Sequence, residues 1–123
     1  MIRGSVDANL FARVRLCVRG TDGVELEVDA VIDTGFDDSL ILPARTISSL
    51  GLKHPTVGQA FLADGSIKYF DIFSAEIEWG GASRTVQVSA VGDEALIGMA
   101  LLADHELRIR VVPTGSVEII PIP

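Results

Sequence analysis

The chain has 123 residues, of which 48% are hydrophobic and 22% charged, a composition typical of a folded domain with a sizeable core. Lys and Arg number 10 against 17 Asp and Glu, so the net charge of −7 would repel a phosphate backbone and makes nucleic-acid binding unexpected. Cys17 is the only cysteine, which excludes an intrachain disulfide, and no apolar run is long enough for a membrane span; we expect a single domain over residues 1–123, located in the cytoplasm.

The first predicted elements form a β-hairpin. Residues 13–19 and 24–32 each alternate apolar and polar side chains, and the segment between them, Gly-Thr-Asp-Gly, has a turn composition. One face of this hairpin is apolar. The other face carries arginines on the first strand and acids on the second, so we expect cross-strand ion pairs there.

The remaining elements follow at short spacing. A helix is predicted from Pro43 to a C-terminal Gly51, and a hairpin over residues 58–79 turns at Asp64-Gly65. Further predicted elements are strands at 83–91, 95–98, 107–112 and 117–122, with a second short helix at 99–106. Many short strands with two short helices predict an all-β fold, a closed or nearly closed barrel or sandwich of antiparallel strands.

One acid stands at the end of an apolar strand. Asp33 follows the run Val28, Ala30 and Ile32, and it begins the segment Asp-Thr-Gly. Asp and Gly are common turn residues, so the carboxylate could simply accept backbone N–H groups. Alternatively, local donors hold the carboxylate so that it activates a water molecule as a general base.

Three segments carry a resemblance to a known family. The segment VIDTGFDDSLIL resembles the active-site segment of retroviral-type (retropepsin-like) aspartic proteases, and the Phe after Gly35 is similar to a prokaryotic group of single-domain relatives. The segment ALIGMALL resembles the second signature of that family, with Leu96, Ile97 and Gly98. The segment FLADGSIKYF occupies the position of the family's flap hairpin.

The resemblance implies a role for each matching residue. Asp33 would be the catalytic acid/base, supported by Thr34, which would donate across a dimer axis, and by Gly35 in the substrate cradle. Gly98 would let the second signature pack behind the active loop. Residues in substrate-binding positions are Phe36, Asp37, Leu40, Ala63, Asp64, Gly65 and Ile97, although Leu40 and Ile97 fit the apolar core equally well.

The chain departs from the family pattern in three places. Viral members usually have Arg where this chain has Met99, which leaves Asp37 without that partner. Phe36 replaces a usually small residue and would reshape the pocket beside the acid. The flap turn, centred on residues 63–66, lacks the multiple glycines of the viral flap.

A single Asp-Thr-Gly motif predicts a homodimer. The chemistry needs two carboxylates around one water, and this chain supplies one, so a twofold axis would bring Asp33 from each of two subunits together. We therefore expect an aspartic endopeptidase acting on peptides or proteins, without cofactor. A metal site is not expected, because Cys17, His54 and His105 have no ligand spacing. The alternative is a catalytically silent dimeric peptide-binding module with the same fold.

Overall fold

The computed structural model describes Met1–Pro123 and contains ten β-strands and two short α-helices. The strands are β1 (Ile2–Val6), β2 (Ala12–Arg19), β3 (Glu25–Ile32), β4 (Leu40–Leu42), β5 (Thr56–Phe61), β6 (Ile67–Trp79), β7 (Ala82–Ala90), β8 (Leu96–Ile97), β9 (His105–Ile109) and β10 (Ser116–Pro121). The helices are α1 (Ala44–Leu50) and α2 (Met99–Leu102), and a 3-10 turn spans Thr21–Gly23. No helix has the length and apolar character required to cross a membrane.

The strands close into a barrel. Its strand order is β2–β3–β8–β4–β7–β6, and the ring is complete because β6 pairs back onto β2 through Val18↔Ile77. β5 extends the sheet from β6, while β1, β10 and β9 extend it from β2. The predicted closed all-β fold is therefore confirmed.

Two strand pairs correct the expectation of purely antiparallel pairing. β3 runs parallel to β8, with Val31 opposite Leu96 and Ile32 opposite Ile97, and β4 runs parallel to β7. Parallel pairing requires a crossover, and here the long chain between β3 and β8 provides it. As a result, β3 and β8 end side by side, and the residues that follow them meet at one end of the barrel.

The predicted β2–β3 hairpin is confirmed, including its two faces. Val14, Leu16 and Val18 are at most 2% exposed and belong to a core cluster of 21 buried residues. On the outer face, Arg15 and Arg19 pair with Glu27 and Glu25 at 3.5 and 2.9 Å. Exposed ion pairs of this kind contribute little stability each, so the apolar face dominates the energetics of the hairpin.

The first predicted helix is also confirmed. α1 buries Ile47 and Leu50 against the core, one turn apart, and Gly51 ends it with a left-handed φ of 68°. Glycine adopts this conformation without the steric cost that a Cβ brings.

The second predicted helix is shorter than expected. α2 ends at Leu102, and the chain turns at Asp104, whose φ is 64°, before β9 begins at His105. His105, which falls within the predicted helix 99–106, instead begins β9. Its Nδ1 lies 2.8 Å from the Ala103 carbonyl oxygen, and its ring packs edge-on against Trp79 at 5.8 Å.

The predicted hairpin over residues 58–79 leaves the barrel. Ala75, Ile77 and Trp79 at the C-terminal end of β6 are buried, as the alternation predicts. Ile67 and Tyr69 lie on the same face of the strand but are 44% and 65% exposed. Their half of β6 pairs only with β5, so this part of the hairpin projects beyond the core.

Two strands have no counterpart in the sequence prediction. β4 has three residues, too few to show a period, and β1 contains Gly4. A Cβ at Gly4 would lie 1.9 Å from the Arg13 carbonyl oxygen, so only glycine permits this close approach between β1 and β2.

Candidate active site

The backbone of Asp33 continues the hydrogen bonding between the parallel strands β3 and β8. The Val31 N–H donates to the Ala95 carbonyl at 2.9 Å, and the Asp33 N–H donates to the Ile97 carbonyl at 2.9 Å. Since side chains alternate along a strand, Asp33 lies on the outer face of β3, with Asp29 and Val31, and not on the core face. Its side chain is half-buried, so it is accessible to water.

Backbone hydrogen bonds within the turn after β3 fix the position of the Asp33 carboxylate. Its Oδ1 accepts the Gly35 N–H at 2.9 Å, and its carbonyl accepts the Phe36 N–H at 3.2 Å. A Cβ at Gly35 would lie 3.2 Å from the same Oδ1, so glycine lets the backbone approach the carboxylate. Thr34 is exposed, and its hydroxyl has no hydrogen-bond partner within the chain.

The start of α2 packs directly against this turn. Three N–H groups, of Gly98, Met99 and Ala100, donate to the carbonyls of Ser39, Phe36 and Asp38 at 3.0, 2.8 and 3.2 Å. Gly98 is buried, and a Cβ there would lie 2.1 Å from the Asp38 carbonyl oxygen. Backbone hydrogen bonds therefore join the Asp-Thr-Gly segment to the Gly98 segment, and the absence of a side chain at Gly98 lets the two backbones come this close.

The expected pocket residues lie in different environments. Leu40 and Ile97 pair with each other across β4 and β8 and are 0% exposed, so both are core residues in this chain and we do not assign them to a substrate pocket. Phe36 is half-buried, with its ring against Gly98. Leu96 is half-buried on the outer face, next to Val31. Asp37 is exposed and forms no ion pair.

The expected flap residues form the tip of the β5–β6 hairpin. Ala63, Asp64 and Gly65 are all exposed. Asp64 Oδ1 accepts the N–H and the hydroxyl of Ser66 at 2.9 and 2.6 Å, which lowers the pKa of Asp64. Gly65 has a left-handed φ of 85°, as this turn requires.

Arg13 forms ion pairs with three acids, whereas the sequence predicted only cross-strand pairs between β2 and β3. It contacts Asp7 at 2.7 Å, Glu94 at 3.1 Å and Asp29 at 3.9 Å. The hydrogen bond from Arg13 lowers the pKa of Asp7, and the bond to Asp7 raises the pKa of Arg13. Arg13 thus joins three segments beside the site: the loop after β1, β3, and the residues before β8.

Phe11 also lies beside the site and had no signal in the sequence analysis. The β2–β3 pairing ends at Arg13↔Val31, and Phe11, two residues before Arg13, lines a cavity of about 260 Å³ together with Val31 and Leu96. The segment before Arg13 lacks alternation, so only the folded structure reveals that Phe11 lies near Val31 and Leu96.

The arrangement offers one water-accessible carboxylate, fixed by a backbone donor and a tightly packed turn. A carboxylate of this kind can accept a proton from water or donate one to a carbonyl oxygen. No His, Cys, Asp or Glu side chains form a group of three or more that could hold a metal ion. Asp33 lines none of five surface cavities of about 260 to 580 Å³.

Comparison with known proteins identifies the fold. No protein-family sequence model and no curated protein sequence matches the chain. Its structure is similar to the crystal structure of a retropepsin-like aspartic protease from Rickettsia conorii, with a TM-score of 0.59, 15% sequence identity, and coverage of 94% of this chain and 87% of that one. At this identity the likeness concerns the arrangement of the backbone. Together with the closed barrel and its two short helices, it establishes that the chain has the retropepsin-like fold.

Proposed function

We infer that the chain is an aspartic endopeptidase of the Asp-Thr-Gly type, with Asp33 as its catalytic residue. The observation that supports this inference is that Asp33 directly follows β3 beside the end of β8, in a chain with the retropepsin-like fold. A half-buried carboxylate follows a barrel strand, accepts the Gly35 N–H, and is backed by the Gly98 turn. A turn-forming aspartate would need no such backing, so the geometry favours the catalytic hypothesis.

The reaction requires two carboxylates around one water molecule. An ionised carboxylate removes a proton from the water, which then attacks the peptide carbonyl, while a protonated carboxyl donates a hydrogen bond to the carbonyl oxygen. Two acids about 3 Å apart cannot both ionise, so they share one proton, as in aspartic proteases generally. The resulting pKa values belong to the pair and not to either residue.

The second carboxylate would come from a second copy of the chain. Asp37 is exposed and does not follow a strand end, and Asp38 accepts the N–H of its own neighbour, Ser39, at 2.9 Å. Neither is held as Asp33 is. An isologous homodimer places Asp33 of both subunits at its twofold axis, where the exposed Thr34 hydroxyl is free to bond across the interface.

Substrate contacts would come from the surface around this axis. The β5–β6 hairpin presents Ala63, Asp64 and Gly65 at its tip, and Phe36 and Asp37 lie in the turn after Asp33. An extended peptide between the hairpin and the acid pair would meet these residues first. Phe36, packed on Gly98, would limit the size of the side chain accepted beside the scissile bond.

The direct test replaces the carboxylate with its near-isosteric amide. Asp33→Asn should abolish hydrolysis of a diverse peptide library, because the amide cannot exchange the proton, and leave far-UV circular dichroism unchanged. Asp22→Asn, an exposed aspartate in the 3-10 turn between β2 and β3, is the matched control and should retain wild-type kcat/KM. Wild-type turnover by Asp33→Asn would exclude Asp33 as the catalytic residue. Peptide binding by the wild type without any hydrolysis would instead favour a silent binding module.

A further inference from the structure

A cavity on the outer face of the barrel is lined mainly by arginines. It has a volume of about 310 Å³ and lies over the first three strands, and no hydrophobic side chain lines it. The lining residues are Arg3, Gly4 and Ser5 of β1, Arg13 and Arg15 of β2, and Asp29 of β3. We call this cavity the arginine cavity. It is separate from the candidate active site, because Asp33 does not line it.

The arginine cavity is positive in a chain that is strongly negative. The whole chain has a net charge of −7 and contains 10 Lys and Arg. Three of those 10 residues line this one cavity, whereas only one of the 17 Asp and Glu does, so the lining has a charge balance of +2. Like charges on facing strands destabilise a sheet. An anion between the guanidinium groups would offset this repulsion.

Arg3 has no acidic partner within the chain. It lies opposite Glu118 in the β1–β10 register, yet it forms no ion pair with Glu118 or with any other acid. Its side chain is exposed and lines the cavity. The N–H donors of its guanidinium are therefore available to a ligand there.

The other two arginines differ in how firmly they are held. The side chain of Arg15 is 77% exposed and approaches one acid, Glu27, at 3.5 Å. An exposed pair of this kind contributes little stability, so Arg15 can turn toward a ligand at small cost. Arg13 is fixed by contacts of 2.7 Å to Asp7 and 3.1 Å to Glu94. A guanidinium that is already fixed loses little further freedom when it binds an anion.

We propose that the arginine cavity binds a phosphate group, either as the free ion or as the monoester of a small molecule. Guanidinium groups donate paired N–H groups that match the oxygens of phosphate, and such charge-assisted hydrogen bonds are stronger than neutral ones. A phosphate group carries about two negative charges near neutral pH, which matches the balance of +2 in the lining, whereas a carboxylate carries a single charge. The volume of about 310 Å³ is small for a ligand cavity and fits a phosphate with a small substituent.

Asp29 is the one acid in the lining, and it opposes the binding of an anion. Its Oδ2 lies 3.9 Å from Nη1 of Arg13, the longest of the ion-pair contacts of Arg13. An anion in the cavity would be repelled by this carboxylate. Removing the charge of Asp29 should therefore strengthen binding, and a misfolded variant would not show such a gain.

The arginine cavity does not depend on the proposed function. Asp29 precedes Asp33 by four residues on the outer face of β3, a separation of about 13 Å along an extended chain. A phosphate beside Asp29 would therefore not touch the Asp33 carboxylate. The Asp33→Asn variant should bind phosphate as the wild type does.

The test is isothermal titration calorimetry of the full chain at about pH 8, with inorganic phosphate and methyl phosphate as probes and sodium chloride holding the ionic strength constant. The wild type should show a single site with a dissociation constant below about 1 mM. Arg3→Gln and Arg15→Gln should each raise this constant at least about tenfold, because each removes charge-assisted hydrogen bonds. Asp29→Asn should lower it at least about threefold.

Arg84→Gln is the matched control for the two arginine variants. Arg84 is exposed on β7 and lines none of the five surface cavities, so its substitution removes the same charge from a distant surface. This variant should bind phosphate as the wild type does. Equal weakening by Arg3→Gln and Arg84→Gln would trace binding to net charge and overturn the proposed site.

The probes distinguish the ligands. Tighter binding of methyl phosphate than of inorganic phosphate would support the proposal and identify a monoester as the ligand, and the reverse order would support it with the free ion. A wild type that binds neither probe would overturn the proposal. Acetate bound as tightly as phosphate would overturn the assignment of the cavity to a phosphate group.

Discussion

At the residue scale, Gly98 is the position beside Asp33 where an added side chain would disturb the packing most. Its φ of −101° is accessible to any residue, so the backbone conformation does not require glycine. A Cβ would lie 2.1 Å from the Asp38 carbonyl oxygen, however, and 2.4 Å from the Phe36 ring. We predict that Gly98→Ala lowers the free energy of unfolding by about 3 kcal/mol, measured by urea titration, since the turn after Asp33 would have to move.

Gly92→Ala is the matched control for this prediction. Gly92 has a left-handed φ of 64° and no atom within 4 Å of an added Cβ, so only backbone strain should appear, about 1 kcal/mol. Equal destabilisation by Gly98→Ala and Gly92→Ala would contradict the close packing of the Gly98 segment against the turn after Asp33.

At the element scale, the loop from Asp7 to Phe11 depends on one carboxylate. The hydrogen bond from Arg13 is the largest cause that lowers the pKa of Asp7 below its ordinary value of 3.8, followed by the Phe11 N–H. The unfolded chain then binds this proton at higher pH than the folded chain does. The stabilisation from Asp7 is therefore present above about pH 3.8 and is lost as the pH falls through the lowered pKa.

In the Asp7→Asn variant, the free energy of unfolding should fall less steeply as the pH is lowered. We expect the free energies of unfolding of wild type and variant to converge as the pH falls below about 4, at fixed protein concentration. Asp64, whose pKa is lowered in the same direction by Ser66, is present in both proteins and cancels in the difference. Parallel curves down to the acid limit would show that Asp7 does not hold the loop through its charge.

At the scale of the whole molecule, the question is whether one chain or two make an active site. Wild type and Asp33→Asn mixed equally, unfolded and refolded together should pair at random, leaving about a quarter of dimers with both carboxylates. Activity should fall to about a quarter of an all-wild-type sample at equal total protein. A fall to about a half would mean that each chain carries a complete site. Refolded wild type alone corrects for losses in refolding.

The sequence alone determined the elements whose physical cause is local. Alternation over residues 13–32 predicted the β2–β3 hairpin, and Gly51 predicted the end of α1, because periodicity and left-handed glycines act within a few residues. The Asp-Thr-Gly segment and the Gly98 segment singled out the two turns that the structure joins by backbone hydrogen bonds. For these features the information lies in neighbouring residues.

Only the tertiary structure decided which distant segments meet. The parallel pairing of β3 with β8, the burial of Leu40 and Ile97, and the cavity that Phe11 shares with Val31 and Leu96 all depend on strand register. Register depends on the simultaneous packing of many side chains and on hydrogen bonds between segments far apart in the chain. No short stretch of sequence contains that information. The sequence could therefore single out Asp33 as a candidate, whereas the folded barrel determines which residues surround it.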